Sequence, residues 1–267
     1  MKTTGQGSTA SSWKFPEMRR FSSVKGFSLM ELMIGVFLST LLLSGIIQLL
    51  AGSVSAYRLQ LEQSRLEESA SYALDVLNSH ISQAGFRPEP WDSQSELAAL
   101  TGESINGVSL AGDQLGLQRW SRQNCYGNEN PVLDDTGQPA YYLLQIRFAV
   151  KSDKNLSMTC RYGPDASLLQ TQVNNFGLVE NVESMQVVYA KDSDGDHVAD
   201  GWVTAQAWQQ ESSVLAVKVA LLLFTNRAVA PKNGATITLL DETLNVPADG
   251  YLRKVRLLRA TIQGRLK

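Results

Sequence analysis

Hydrophobic residues follow three regimes along this chain. The first is an unbroken apolar run over residues 27–51, in which Glu31 is the only ionisable side chain. As an α-helix this run would extend roughly 37 Å, more than the roughly 30 Å hydrocarbon thickness of a bilayer. The second regime begins near Ala56. Leu59, Leu66, Ala70, Ala73, Leu74, Leu77, Ile81 and Ala84 recur at helical spacings, while Arg58, Glu62, Arg65, Glu67, Glu68 and Asp75 take other faces. Together the two regimes predict one helix from Phe27 to about Ala84, apolar all round and then amphipathic, with Gly35, Gly45 and Gly52 as local weak points. Gly85 is placed to close it with a left-handed cap, and Pro88 and Pro90 prevent its resumption.

The third regime, residues 86–267, alternates with a period of two. Tyr142, Leu144, Ile146, Phe148 and Val150 align against Gln145 and Arg147. Met185, Val187 and Tyr189 align within 182–190, and Leu215, Val217, Val219, Leu221 and Leu223 align opposite Lys218. These are half-buried strand patterns, and shorter candidates occupy residues 158–162, 236–240 and 251–262. Few helical stretches remain to form crossovers, so the sheet is expected to be antiparallel. The fold class is α+β: a long N-terminal helix packed on a mainly antiparallel β-sheet head. Residues 91–139 are polar and Gly-rich with weak periodicity, and read as an extended connection. No internal repeat is evident, and Trp91, Trp120, Trp202 and Trp208 read as packing residues rather than one exposed patch.

Charge adds a direction. The net charge of −2 over 267 residues leaves no nucleic-acid footprint. The leader, however, carries Lys2, Lys14, Arg19, Arg20 and Lys25 against Glu17 alone. By the positive-inside rule the N-terminus is cytoplasmic and everything beyond Ala51 lies across the membrane, in a Gram-negative cell in the periplasm. Residues 1–24 lack an apolar period and are expected to be disordered.

An acid inside the membrane costs on the order of 2.5 kcal/mol unless paired, so Glu31 asks for a partner. Cleavage between Gly26 and Phe27 would create one, the α-amine of Phe27. Lys25-Gly26-Phe27-Ser28-Leu29-Met30-Glu31 followed by an apolar helix resembles the class III signal of type IV prepilins and type II secretion pseudopilins. The resemblance implies that a prepilin peptidase removes residues 1–26 and N-methylates Phe27, and that Glu31 docks the subunit into a helical assembly. In a generic signal anchor the Gly-Phe-x-x-x-Glu pattern would be accidental. A secretory signal peptide has a shorter apolar region ending in small residues.

The chain resembles the PilW family of type IV pilus minor pilins. The likeness runs through the signal and helix from Lys25 to Phe86, the stretch Val182-Glu183-Ser184-Met185-Gln186-Val187-Val188-Tyr189, the acidic loop after it, and the late strands 214–225 and 251–260. It implies a leader at 1–26, a transmembrane half-helix at 27–51, an amphipathic half at 52–85 and a periplasmic head at 86–267. It also implies partnership with other minor pilins, the major pilin, the inner-membrane assembly platform and a tip adhesin, in priming pilus assembly. A type II secretion minor pseudopilin, or an unprocessed, membrane-anchored, calcium-dependent binding module, would share parts of this pattern.

Two features of the head carry chemistry. Cys125 and Cys160 fall in the translocated part, where an oxidising compartment favours a disulfide; two separate buried thiols are the alternative. Neither has the close Cys/His neighbour that zinc uses. Asp192, Asp194 and Asp196 alternate around Gly195 like the first half of an EF-hand loop, with the Val198 carbonyl and Asp200 at its seventh and ninth positions. They form a candidate Ca²⁺ site, although Val203 stands where that loop has its bidentate Glu. The alternative is a solvated Asp-Gly hairpin; four carboxylates repel unless a cation or solvent screens them. His197 reads as an exposed loop residue. No nucleophile elbow, P-loop, zinc motif or dinucleotide fingerprint occurs, and neither His80 nor His197 has an evident catalytic partner. An enzyme is not expected.

Overall fold

The computed structural model describes residues 26–89, 97–107, 112–205, 207–208 and 213–263. Its chain divides into two compact units, 1–52 and 53–267. Helix α1, Leu29–Gln83, is continuous over 55 residues. Gly35, Gly45 and Gly52 lie within it, with nothing near the position a Cβ would take. In the first unit every described side chain is exposed; Phe27 is 80% and Leu49 76% accessible. Mean hydropathy there reaches 2.1 over an 18-residue window, which is long and apolar enough to cross a membrane. So large an apolar surface marks a segment that lipid or another protein covers.

The helix ends as its glycine requires. Gly85 adopts φ 74°, and its N–H donates at 2.8 Å to the carbonyl of Gln118 in strand β1, Gln114–Ser121. Ending the helix and starting sheet contact are thus one event. Pro90 and Trp91 lie outside the described residues.

In the second unit, α1 packs on antiparallel sheets. One has the order β1-β2-β3-β4, with β2 Tyr142–Val150, β3 Leu156–Gly163 and β4 Gln170–Val179. The other has the order β10-β7-β5-β6, with β5 Val182–Lys191, β6 Gly201–Val203, β7 Val214–Ala228 and β10 Tyr251–Thr261. A two-stranded hairpin, β8 Ala235–Leu239 and β9 Glu242–Val246, lies beside them. Leu66, Ala70, Ala73, Leu77 and Ile81 form the buried stripe of α1, at most 5% exposed. They join one core with Ile146, Phe148, Val187, Val219 and Leu221.

Three expectations change. The head holds more than one sheet, and β5 is buried along nearly its whole length instead of on alternate positions. On β7, Ala220 and Leu222 form a second core with Leu239, Leu244 and Val246 of the hairpin, so that strand too is covered on both faces. The segment 91–139, read as a connection, contains β1, paired along its length with β2. Its weak alternation reflects Gly116, where a Cβ would sit 2.2 Å from Thr101 Oγ1. Finally, Glu62 faces inward and is 3% exposed; it accepts the Asn226 N–H at 3.1 Å. Glu67 pairs with Lys254 and Arg256 of β10. These acids meet donors that only the folded sheet supplies.

The two sheets are stitched together just before β1. Gly112, at φ 68°, leaves no room for a Cβ, which would meet the Met185 carbonyl oxygen at 2.7 Å. Asp113, 1% exposed, donates its N–H to the Met185 carbonyl and accepts the Val187 N–H, both at 2.6 Å. Its other oxygen accepts the Gly107 N–H at 2.8 Å. The staple therefore occupies β5 edge groups that β6, only three residues long, does not reach.

Burial pushes the Asp113 carboxyl up to about 6, against the N–H groups of Val187 and Gly107, with Asp241 and Glu242 adding to the rise. Between about pH 4 and pH 6 folded Asp113 holds a proton that the unfolded chain releases, so its contribution to stability weakens as pH rises. His80 acts in the opposite sense: burial, with Arg119 nearby, lowers its imidazole to about 4, so protonation of the unfolded chain erodes stability as pH falls below about 6.5. Comparison of variants separates the two. The destabilisation caused by Asp113→Asn, measured by urea unfolding of the full chain in detergent, is expected to shrink by about 3 kcal/mol from pH 4 to pH 7. A penalty constant over that range would rule out a raised buried acid.

Candidate functional sites

At the N-terminal end, residues 1–25 of the expected leader lie outside the described residues. Gly26 and Phe27 precede α1, and Glu31 sits in its first turn, where a carboxylate favours the positive end of the helix dipole. Glu31, Gly35 and Ser39 share one strip of this helix, and with Phe27 they border a shallow apolar groove. Ser39 Oγ donates to the Gly35 carbonyl at 2.7 Å and Thr40 Oγ1 to the Phe37 carbonyl at 2.8 Å. Both hydroxyls are thereby satisfied within the helix, as an apolar surrounding demands. Glu31 has no such partner: among the described residues no cation lies within ion-pair distance.

Cys125 and Cys160 form a disulfide with a Cα separation of 5.9 Å. Cys160 lies in β3, between Ile146 of β2 and Val173 of β4. Cys125 lies in the loop after β1. Gln172 holds the same loop from β4: its side-chain oxygen accepts the Cys125 N–H at 3.1 Å, and its carbonyl accepts the Tyr126 hydroxyl at 2.6 Å.

The acidic loop is the connection of the β5–β6 hairpin, in which Lys191 pairs with Gly201 and Tyr189 with Val203. It brings carboxylate oxygens of Asp192, Asp194 and Asp200 within 4.8 Å of one another, a group that could hold a metal ion. Asp196 is not part of this group; its carboxylate accepts the Val198 N–H at 2.7 Å. Val198 itself is exposed. Two oxygens of Asp192 accept the N–H groups of Gly195 and His197 at 2.7 and 3.0 Å, and Asp200 accepts the Ser193 N–H at 2.6 Å. Burial pushes the Asp192 carboxyl up, but those N–H groups and the nearby His197 outweigh it and hold it below its ordinary range. The loop is thus an ordered Asp-Gly hairpin that gathers three carboxylates able to hold a metal ion.

Among the described residues, Trp120, Trp202 and Trp208 lie in three different surroundings. Trp208 is buried edge-on against Tyr189, with centroids 4.3 Å apart, and Trp202 lies beneath Lys218 at 4.1 Å. Trp120 lines a cleft at the end of α1 that sequence reasoning missed, because its residues come from four separate segments.

The later strands, from within β2 to just past β10, carry the acidic hairpin, Cys160 and the whole second sheet. Residues 144–263 match the family of type IV pilus-assembly protein W. The pilus-assembly match covers just under half of the chain and does not include α1 or β1. A solved type IV-like pilin from Thermus thermophilus is similar over 76% of this chain and 98% of its own, at 17% identity and a TM-score of 0.45. No curated protein matches. The architecture is one long helix, apolar in its N-terminal part, whose later part packs on antiparallel sheets.

The disulfide closes a loop spanning 35 residues. Replacing both cysteines, Cys125→Ser with Cys160→Ser, is expected to lower stability by about 4 kcal/mol in the chain-entropy account, read as a lower denaturant midpoint. An unchanged midpoint would mean that Gln172 alone suffices to hold the loop.

Proposed function

We propose that this protein is a minor pilin, which joins other minor pilins to prime type IV pilus assembly at the inner membrane and takes a place at the pilus tip beside an adhesin. The observation that carries the reading is the pilus-assembly match over 144–263 in a chain whose helix α1 is apolar enough to span a bilayer. Prepilin peptidase cuts between Gly26 and Phe27 and N-methylates Phe27. The new amine, four residues ahead of Glu31 in the chain, attracts that carboxylate or a neighbour's acid. The leader remains cytoplasmic, residues 27–51 hold the subunit in the membrane until it is extracted, and the head folds and oxidises in the periplasm. The major pilin and the assembly platform then act on an exposed apolar helix already shaped for packing. The reading assigns no catalytic step.

In a strain whose pilus retraction is blocked, deletion of the gene is expected to abolish surface pili while leaving protein secretion intact. Normal pili with lost secretion would replace the reading with a type II pseudopilin. Normal pili and normal secretion, with the mature chain still beginning at Met1 by mass spectrometry, would replace it with an unprocessed anchored binding module.

We further infer that the ion held by Asp192, Asp194 and Asp200 is Ca²⁺, with the Val198 carbonyl and Asp196 drawn in as the loop closes. A hard cation prefers six to eight oxygens, and the hairpin offers carboxylates with backbone carbonyls and solvent access. Millimolar Ca²⁺ is expected to raise Tm above its value in chelator by several degrees, and Asp192→Asn to remove the increment. Equal melting with Ca²⁺ and with chelator would dismiss the metal and leave a solvated hairpin.

A further inference from the structure

Where α1 ends, Phe86, Arg119, Trp120, Arg122, Glu129 and Tyr141 border an open cleft of about 630 Å³, inside the roughly 300–1,000 Å³ range of ligand sites. Its walls are fixed by backbone: Gly85 N–H donates to Gln118 O, and Trp120 N–H to Phe86 O at 2.9 Å. The rings of Phe86 and Tyr141 lie tilted at 6.1 Å. The Arg122 guanidinium lies 4.3 Å above Tyr141 and is already committed, to Asp134 at 3.0 Å and to the Pro139 carbonyl at 2.7 Å.

Arg119 differs. Its guanidinium donates to the neutral side-chain oxygen of Gln83, and among the described residues no carboxylate comes within ion-pair distance. It is half-buried, and burial lowers its pKa. A partly desolvated guanidinium beside an aromatic wall gains most from a carboxylate, which it binds through charge-assisted, bidentate hydrogen bonds. Arg122 is already paired with Asp134 and Glu129 adds a negative charge at the rim, while Arg119 is left as the guanidinium of the cleft lining without a carboxylate partner among the described residues. That complements a single carboxylate; a phosphodiester strand, with a charge on every unit, draws on several cations.

We propose that this cleft docks a peptide segment of a partner protein that presents one carboxylate to Arg119 and, beside it, an aromatic or aliphatic side chain to Phe86, Trp120 and Tyr141. Aromatic and arginine anchors in a partly closed pocket are the usual seats of interface energy. The inference stands on the cleft alone and does not require the pilus reading.

A displayed random heptapeptide library, selected on the full chain in detergent and counter-selected on Arg119→Gln, tests it. Enriched sequences are expected to carry Asp or Glu next to an aromatic or aliphatic residue. Synthetic copies should bind the wild type at least about tenfold more tightly than their Asn or Gln counterparts. Arg119→Gln should remove that discrimination while keeping the disulfide and Tm, and Arg119→Lys should keep part of it. Failure to enrich any sequence, enrichment of sequences without an acid, discrimination that survives Arg119→Gln, or binding of a twelve-residue oligothymidylate in place of peptide would each overturn the proposal.

Discussion

The burial of five side chains on one stripe of α1, Leu66, Ala70, Ala73, Leu77 and Ile81, is the contact on which the second unit depends. Two of the five are alanines, and their small volume lets the backbone of a helix lie close to a pleated surface while Leu77 and Ile81 fill the space between strands. Each fully buried Leu or Ile contributes about 2 kcal/mol. A one-residue slip of the stripe toward the N-terminus would exchange these contacts for Arg65, Ser69, Tyr72, Val76 and His80. The same helix, 55 residues long, has no comparable burial over residues 29–52, so its two parts answer to different surroundings. One is solvated by its own sheets and the other calls for lipid or neighbouring subunits.

Polar contacts then fix register where apolar burial alone would tolerate sliding. Glu62 caps the Asn226 N–H, and Glu67 is held by two cations of β10. Arg253 bridges Glu183 and Asp249 in a largely buried cluster. A buried charge without its partner is costly, so, while the more exposed Glu67 cluster adds less, the Glu62 and Arg253 contacts penalise the misaligned alternatives. Asp113 does the same between sheets, because its carboxylate satisfies the β5 edge only when β1 begins where it does.

How much of this was legible from the chain depends on the range of the interaction. The extent of α1, its closure at Gly85, the strands β2, β5, β7 and β10 and the hairpin around Gly195 follow from periodicities and turn residues that act within a few positions. β4, rich in Gln and Asn and largely exposed, has no apolar period to report. β1 is obscured by Gly116 and by a buried neighbour segment rather than by a lack of strand character. In the acidic loop the alternate aspartates announced a cluster, yet Asp196 turned to its own backbone, a competition between local Asx hydrogen bonding and convergence that spacing does not decide.

The amino-acid sequence by itself determined the long helix, its membrane-compatible first half, the cap that ends it, the period-two strands and the proximity of carboxylates in one hairpin, since each is set by neighbours a few residues away. Only the tertiary structure decided that β5 and β7 are covered on both faces, that Glu62 points inward, and that Arg119 stands beside Phe86, Trp120 and Tyr141. Those outcomes depend on where distant segments return to the same place. Local alternation reports one face of an element, and what covers the other is settled when the whole chain packs.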